Sequence, residues 1–203
     1  MKRFLPGRLF SVVGLLVIFV APMLACADGC CPPVRQRVPE RSFTLDELLV
    51  DESAFPSGWQ QQGLPDRKGA PVRLGIERIG VGFEGGMEGV ALHEIYQFEG
   101  IGEVTEAYQE LSEFWFSERE GWTSWSSPAE LSYQSSVADR FRLGCYTHRE
   151  SGIKYCQAVG QYDEYIVYFH TYMSPGLMTY TDLEHVLHAI DERMAHYLSK
   201  EAE

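Results

Sequence analysis

Basic residues are scarce in this chain: 17 Lys and Arg stand against 29 Asp and Glu in 203 residues. Nucleic acid is a poor partner for so acidic a surface, because affinity there comes mainly from neutralising phosphates. The plainest physical consequence of the charge is solubility. A second long apolar run is also missing, so no transmembrane helix is expected beyond the first 25 residues. The chain has no G-x-S-x-G and no P-loop, and therefore none of the linear signatures of α/β-hydrolases or P-loop nucleotide enzymes. No cysteine is marked as a nucleophile, and no spacing ties a serine such as Ser124, Ser126 or Ser127 to a His and an acid. Triads assemble from distant residues, so this silence alone does not decide the matter. No internal repeat is visible. The lack of catalytic motifs leans toward a non-enzymatic role without deciding it, and no cofactor is expected.

What is present begins with the leader. Lys2, Arg3 and Arg8 precede a nearly unbroken apolar run from Leu9 to Ala25, the pattern of a secretory signal core. Met23-Leu24-Ala25-Cys26 resembles the bacterial lipobox, in which a Cys receives lipid and becomes the new N-terminus. Here Met stands where that family prefers Leu. Two other readings stay open: Ala25-Cys26-Ala27 fits ordinary secretory cleavage before Asp28, and the segment could remain uncleaved as an anchor. All three carry the domain across a membrane and predict a cell-envelope location, with the membrane itself as partner through a lipid at Cys26. Removing the leader's three basic residues from 17 leaves 14 against 29, a net −15. Residues 26–42, with "CPPVRQRVPER" at their centre, read as a Pro/Arg-rich tether. About 15 such residues at about 3 Å each reach about 45 Å. The adjacent Cys30 and Cys31 bridge each other only with strain. They suit intermolecular pairing, a second modification, or a free state.

Residues 43–199 read as one α+β domain, followed by a short tail, 200–203. Thr44-Leu45-Asp46-Glu47 has capping-box spacing and opens a short helix that "AFPSGW" ends. Val72–Ile79 and Val90–Phe98 read as strands joined by a glycine-rich turn. Glu103–Glu120 is a helix with Val104, Ala107, Tyr108, Leu111 and Trp115 on its apolar side. Val137–Gln161 reads as a hairpin turning at 149–152, and Tyr165–Met173 as a central strand apolar on both faces. Thr181-Asp182-Leu183-Glu184 is a second capping box, heading a final helix with a stripe from Leu183 to Leu198. The order predicts a mostly antiparallel sheet of about five strands, with a C-terminal β-meander, packed against two main helices.

Several constellations could carry chemistry. If the hairpin turns about residues 150 and 151, Cys145 and Cys156 face each other across it, within disulfide range. An oxidising compartment favours that bond. Gly80-Val81-Gly82-Phe83-Glu84-Gly85 spells G-x-G-x-x-G, but the residues after it alternate as a strand and the acids Glu84 and Glu88 oppose phosphate. A hairpin connection is the better reading. His93-Glu94-Ile95-Tyr96-Gln97 begins like a zinc-protease motif, yet lacks the second His and lies on a strand. On the final helix, His185, His188, Glu192 and His196 could supply metal ligands, though a solvated face explains them as well. A pH-responsive surface is a further reading of the same histidines. Tyr168, His170 and Tyr172 alternate with core positions on one strand. They suit ligand binding, and equally packing under a helix. Trp122 and Trp125 could expose an apolar patch to a protein partner.

The early "LL…PSGW" turn, the central helix with Ala107-Tyr108 and Trp115, and the strand-rich part closed by a helix resemble the extracellular sensor domains of bacterial PknH-type kinases. The likeness spans roughly residues 45–198. It implies a disulfide-stabilised domain that binds a small ligand in a cleft. This chain departs from that family in having no kinase and a different cysteine placement, so no binding residue is transferred. The sequence thus points first to an envelope lipoprotein that binds an unidentified ligand or envelope protein. The alternatives are an exported metal-assisted enzyme using the final-helix histidines, and a structural assembly factor.

Overall fold

The computed structural model describes residues 38, 40–67, 75, 77–86 and 88–199. The signal segment, Cys26, Cys30 and Cys31, most of the tether, half of the expected strand at 72–79 and the tail lie outside the described residues. The chain divides between Val34 and Arg35, and the second unit carries the folded domain.

Among the described residues, six strands form one antiparallel sheet. In chain order they are β1 (Trp59–Asp66), β2 (Glu77–Gly85), β3 (Gly89–Gln97), β4 (Arg140–Thr147), β5 (Lys154–Tyr162) and β6 (Tyr165–Met173). Their spatial order is β1-β2-β3-β6-β5-β4. Among the described residues, three α-helices accompany them: α1 (Leu45–Leu48), α2 (Ile101–Trp115) and α3 (Tyr180–Ser199), with a 3₁₀ turn at Glu52–Ala54. The α+β class and the C-terminal meander agree with the sequence. The sheet has one strand more than expected. The extra strand, β1, reads "WQQQGLPD". Its glutamines, Gly63 and Pro65 give no alternating apolar signal. It is an edge strand whose register slips between Gln62 and Asp66, as suits an edge that is not to recruit another chain.

Alternation along each strand divides the core in two. Facing one side are Ile79, Val81 and Phe83 of β2, Ala91 and Ile95 of β3, Ala158 of β5 and Val167 and Phe169 of β6. These pack with Leu183, Val186, Leu187, Ile190 and Met194 of α3 and with Leu45 and Leu48 of α1. Facing the other side are Tyr96, Val159, Ile166 and Tyr168, covered by Val104, Ala107, Tyr108, Leu111 and Trp115 of α2. Each such large side chain contributes about 1.5–3 kcal/mol by leaving water. With helices on both faces, β6 is apolar on both sides, which is why it reads as central; it lies between β3 and β5.

The final helix begins at Tyr180, earlier than its apparent capping box. Thr179 donates its N–H (2.8 Å) and hydroxyl (2.6 Å) to the Asp182 carboxylate, and the Asp182 N–H returns to the Thr179 hydroxyl. Glu184 is thereby free to bond outside the helix, and its Oε1 accepts the N–H groups of Ser132 and Tyr133. The first box is as expected, with Glu47 accepting the Thr44 N–H at 2.8 Å.

The glycine-rich stretch does lead through the β2–β3 hairpin, with Gly86 in the turn, but Gly80, Gly82 and Gly85 belong to β2 itself. Gly85 lies under the indole of Trp59, and a Cβ there would stand 2.4 Å from the ring. The last glycine of the nucleotide fingerprint thus meets a packing requirement inside a strand, and β3 rather than a helix follows it. Buried His93 accepts the Val50 N–H on Nδ1 at 3.4 Å. It joins β3 to the segment after α1 rather than forming a metal motif.

Arg41, which the sequence places in the tether, is bound into the domain. Its guanidinium grips the buried Glu164 carboxylate through Nε (2.7 Å) and Nη2 (2.6 Å) and also reaches Asp163. Phe43 follows it against Tyr165 and Tyr197. The chain therefore joins the domain at the β5–β6 turn.

Candidate functional site: an aromatic cleft on the α2 face

The register places Tyr155 opposite Tyr172, Gln157 opposite His170 and Val159 opposite Tyr168. Tyr146 stands opposite Tyr155 on the other flank. All of these side chains project to the α2 side. Coverage by α2 is only partial. Trp115, at its last turn, stacks on Tyr168 with ring centres 4.2 Å apart, and the helix then ends. Beyond it the chain runs along the edge of β4, with bridges Trp122↔His148 and Ser126↔Cys145. These seat the Trp122 and Trp125 rings 4.3 and 3.9 Å from that of Tyr146. Both tryptophans are half-buried, so they form the inside of a wall rather than the exposed patch that the sequence allowed.

Between Trp122 and Tyr172 the surface opens into a cleft of about 800 Å³. Its other walls are His148, Ile153 of the β4–β5 turn, Val90 of β3 and, at the mouth, Glu88. This volume falls in the range of small-molecule sites. Val90 and Ile153 are among the few large apolar residues that stay substantially exposed, at 40% and 49%. Met173, Ser174 and Pro175 are shared with a smaller cavity of about 420 Å³ that reaches Lys154 and Tyr180.

A hydrogen-bonded chain underlies the cleft. Gln157 donates to the Trp115 carbonyl at 2.6 Å, and Tyr168 donates to Gln157 Oε1 at 2.9 Å. Tyr155 stands between Tyr168, at 3.3 Å, and His170 Nδ1, and its single phenol proton can serve only one of these two contacts. His170 is held neutral: burial lowers its pKa to about 4, assisted by the positive charge of Arg119. Burial also raises Tyr168 to about 12 and Tyr155 further still. Nothing in this chain ionises near neutrality, and the rings it carries are fixed in place. His148 is fixed too, with its Nδ1 accepting the Ser151 N–H at 3.2 Å and its ring edge-on to Trp122.

The sequence-derived candidates divide. Tyr172 lines the cleft. His170 supports it from behind, and Tyr168 is taken by packing under Trp115. Cys145 and Cys156 form the expected disulfide, on the opposite face, within the α3-side core. His185, His188, Glu192 and His196 lie along the outer side of α3, at least partly open to solvent. His188 packs edge-on against Tyr133 and His196 against Tyr197. Among the described residues no three His, Cys, Asp or Glu side chains gather as a metal-binding group. The sequence reading missed His148, Val90, Ile153 and Tyr155 as site residues. The hairpin register that pairs Cys145 with Cys156 also pairs Tyr146 with Tyr155, and it could have pointed to Tyr155.

No family model matches the chain, and no curated protein matches it. Among solved structures, the chain is similar to the crystal structure of the extracellular domain of PknH from Mycobacterium tuberculosis. The TM-score is 0.54 at 11% identity, over 82% of this chain and 99% of that one. At that identity the likeness concerns the fold, and the fold agrees with the architectural resemblance seen in the sequence. Among the described residues no helix is long and apolar enough to cross a membrane.

Proposed function

We propose that this chain is an exported envelope protein, lipid-anchored at Cys26, whose domain binds a small ligand in the Trp122–Tyr172 cleft without transforming it. The observation that carries the reading is the cleft itself. It is a concave, largely apolar site whose aromatic walls are locked by the His170–Tyr155–Tyr168–Gln157 chain. Preorganised rings favour binding because little side-chain freedom is lost when a ligand arrives. The neutral, hydrogen-bonded side chains behind them are poor acids and bases near neutrality, which favours binding over catalysis. The apolar leader and the disulfide support export, and the extracellular neighbour fits the same setting.

Ligand-observed NMR of the protein with a library of small ring-bearing fragments tests the reading. Saturation transfer to a subset is expected in the wild type and is lost in Tyr172→Ser. Transfer that is unchanged in Tyr172→Ser, or absent throughout, sinks the cleft as the site. For the anchor, incorporation of a palmitate analogue is expected in the wild type and absent from Cys26→Ser; label that persists in the variant refutes it.

A further inference from the structure

The walls of the cleft also restrict the kind of ligand. Among the described residues lining it, exposed Glu88 is the one charged side chain. The imidazole of His148 is held by the turn at Ser151. An anion would meet the Glu88 carboxylate and the Trp122 and Tyr172 rings, while the Arg119 guanidinium behind them is already engaged by the Tyr146 hydroxyl and ring. A sugar needs many directed hydrogen bonds to its hydroxyls, but the described lining residues include no Asn, Gln or Arg, and Val90, Ile153, Met173 and Pro175 present hydrocarbon. Aromatic faces attract cations through their quadrupoles, most strongly where water is excluded, and clusters of rings are a known means of holding quaternary ammonium groups.

Resting on the reading of the cleft as a binding site, we propose that its ligand is an organic cation: an ammonium or quaternary ammonium head carried on an apolar body. The head sits between Trp122 and Tyr172 with Glu88 as counter-charge. The body lies along Val90, Ile153 and Met173. The Tyr155–His170 pair behind Tyr172 positions that ring, since the Tyr155 and Tyr172 rings meet edge-on with centres 5.3 Å apart. Lys154 belongs to the neighbouring cavity, where its ammonium donates to the Tyr180 hydroxyl and lies over the ring. The same chain thus already holds one cation on a tyrosine beside the cleft.

The test is a matched pair of probes, choline and its neutral carbon isostere 3,3-dimethylbutan-1-ol. Each is titrated into the full protein and followed by indole fluorescence. Choline is expected to bind about tenfold more tightly than the isostere. Glu88→Gln, an exposed and structurally mild change, is expected to cut the choline affinity several-fold and leave the isostere untouched. Trp122→Leu is expected to abolish the preference while the disulfide and the far-ultraviolet dichroism stay native. Equal binding of the two probes overturns the cation and leaves the cleft standing as a neutral apolar site. A preference that survives both variants places the cation elsewhere and also overturns the proposal. If neither probe binds while ring-bearing fragments still contact Tyr172, the cation alone is refuted; if those fragments fail as well, the cleft falls with it.

Discussion

Asp191 offers the sharpest test of how the domain is held together. It lies on α3, is 5% exposed, and accepts three hydrogen bonds: from Tyr133 at 2.5 Å, Tyr162 at 2.6 Å and Ser135 at 2.9 Å. One carboxylate thus ties the final helix to β5 and to the segment before β4. Replacing it with Ala does not strand the three donors equally. Ser135 is half-buried and can turn to water. Tyr133 already lies 3.1 Å from the Leu187 carbonyl and can donate there. Tyr162, 3% exposed, gives its one proton to Asp191 and lies too deep to turn to water. Loss of a charge-assisted bond at Tyr162 costs about 1.5–3 kcal/mol, and the other two add about 1 kcal/mol each. Relief of the desolvated carboxylate returns part of this. The net expectation for Asp191→Ala is about 3 kcal/mol, and for Asp191→Asn, which keeps one acceptor, about 1 kcal/mol. Urea unfolding of the oxidised protein measures both. The decisive comparison is Tyr162→Phe, expected to cost about 2 kcal/mol in the wild type and close to nothing in Asp191→Ala. If Asp191→Ala falls within about 1 kcal/mol of wild type, or Tyr162→Phe costs the same in both backgrounds, the carboxylate is not the tie described.

Two buried histidines make stability depend on acid. Burial lowers His93 to about 3 and His170 to about 4, in both cases assisted by a nearby arginine. The unfolded chain takes up these protons near pH 6.5 while the folded one does not, so stability is full above that pH and is lost as pH falls toward the folded values. A loss of about 2.5 kcal/mol between about pH 6 and about pH 5 is expected in urea titrations, roughly halved in His170→Gln. Both cysteine residues of the disulfide are buried, at 2% and 0% exposure. Reductant should therefore act only through unfolding, and the stability measured in its presence should fall by about 3 kcal/mol; fast thiol labelling of the native protein would contradict this. Arg41→Ala removes the guanidinium from a Glu164 side chain with no exposure. A cost of about 3 kcal/mol is expected in urea unfolding, and a neutral outcome would mean that the chain before Phe43 is held by other contacts.

The hairpin, the central strand and both long helices were legible because period and register are local. Once the β4–β5 turn is placed, Cys145 and Cys156 must meet. β1 was not legible, because at an edge strand neither face needs an unbroken apolar set and Gln60, Gln61 and Gln62 carry no period. The glycines of β2 misled for a related reason. At Gly85 the missing side chain lets Trp59 lie on the strand, and the residue that demands this sits on a different strand, out of reach of any local pattern. The cleft shows the same limit more strongly. Tyr172 could be singled out on its strand, whereas His148, Ile153 and Val90 come from the β4–β5 connection and a neighbouring strand. What joins them is where α2 stops at Trp115, and no periodicity announces a surface left uncovered. Tyr168 and Tyr172 look alike in sequence and differ only in whether Trp115 reaches them.

The Arg41–Glu164 clasp decides how the molecule can be held. It lies at the β5–β6 turn, and Phe43 there touches both Tyr165 and Tyr197, so the start of the domain and the end of α3 meet in one place. The cleft opens at the far end of the nine-residue strand β6, or about 30 Å away. A handle at either end of the domain, whether a tag, a surface linkage or a host loop into which the domain is spliced, therefore attaches away from the mouth of the cleft. Mechanical load applied there enters β5 and β6, both inside the sheet, rather than an edge strand. The domain can be gripped firmly from behind while its aromatic mouth stays clear.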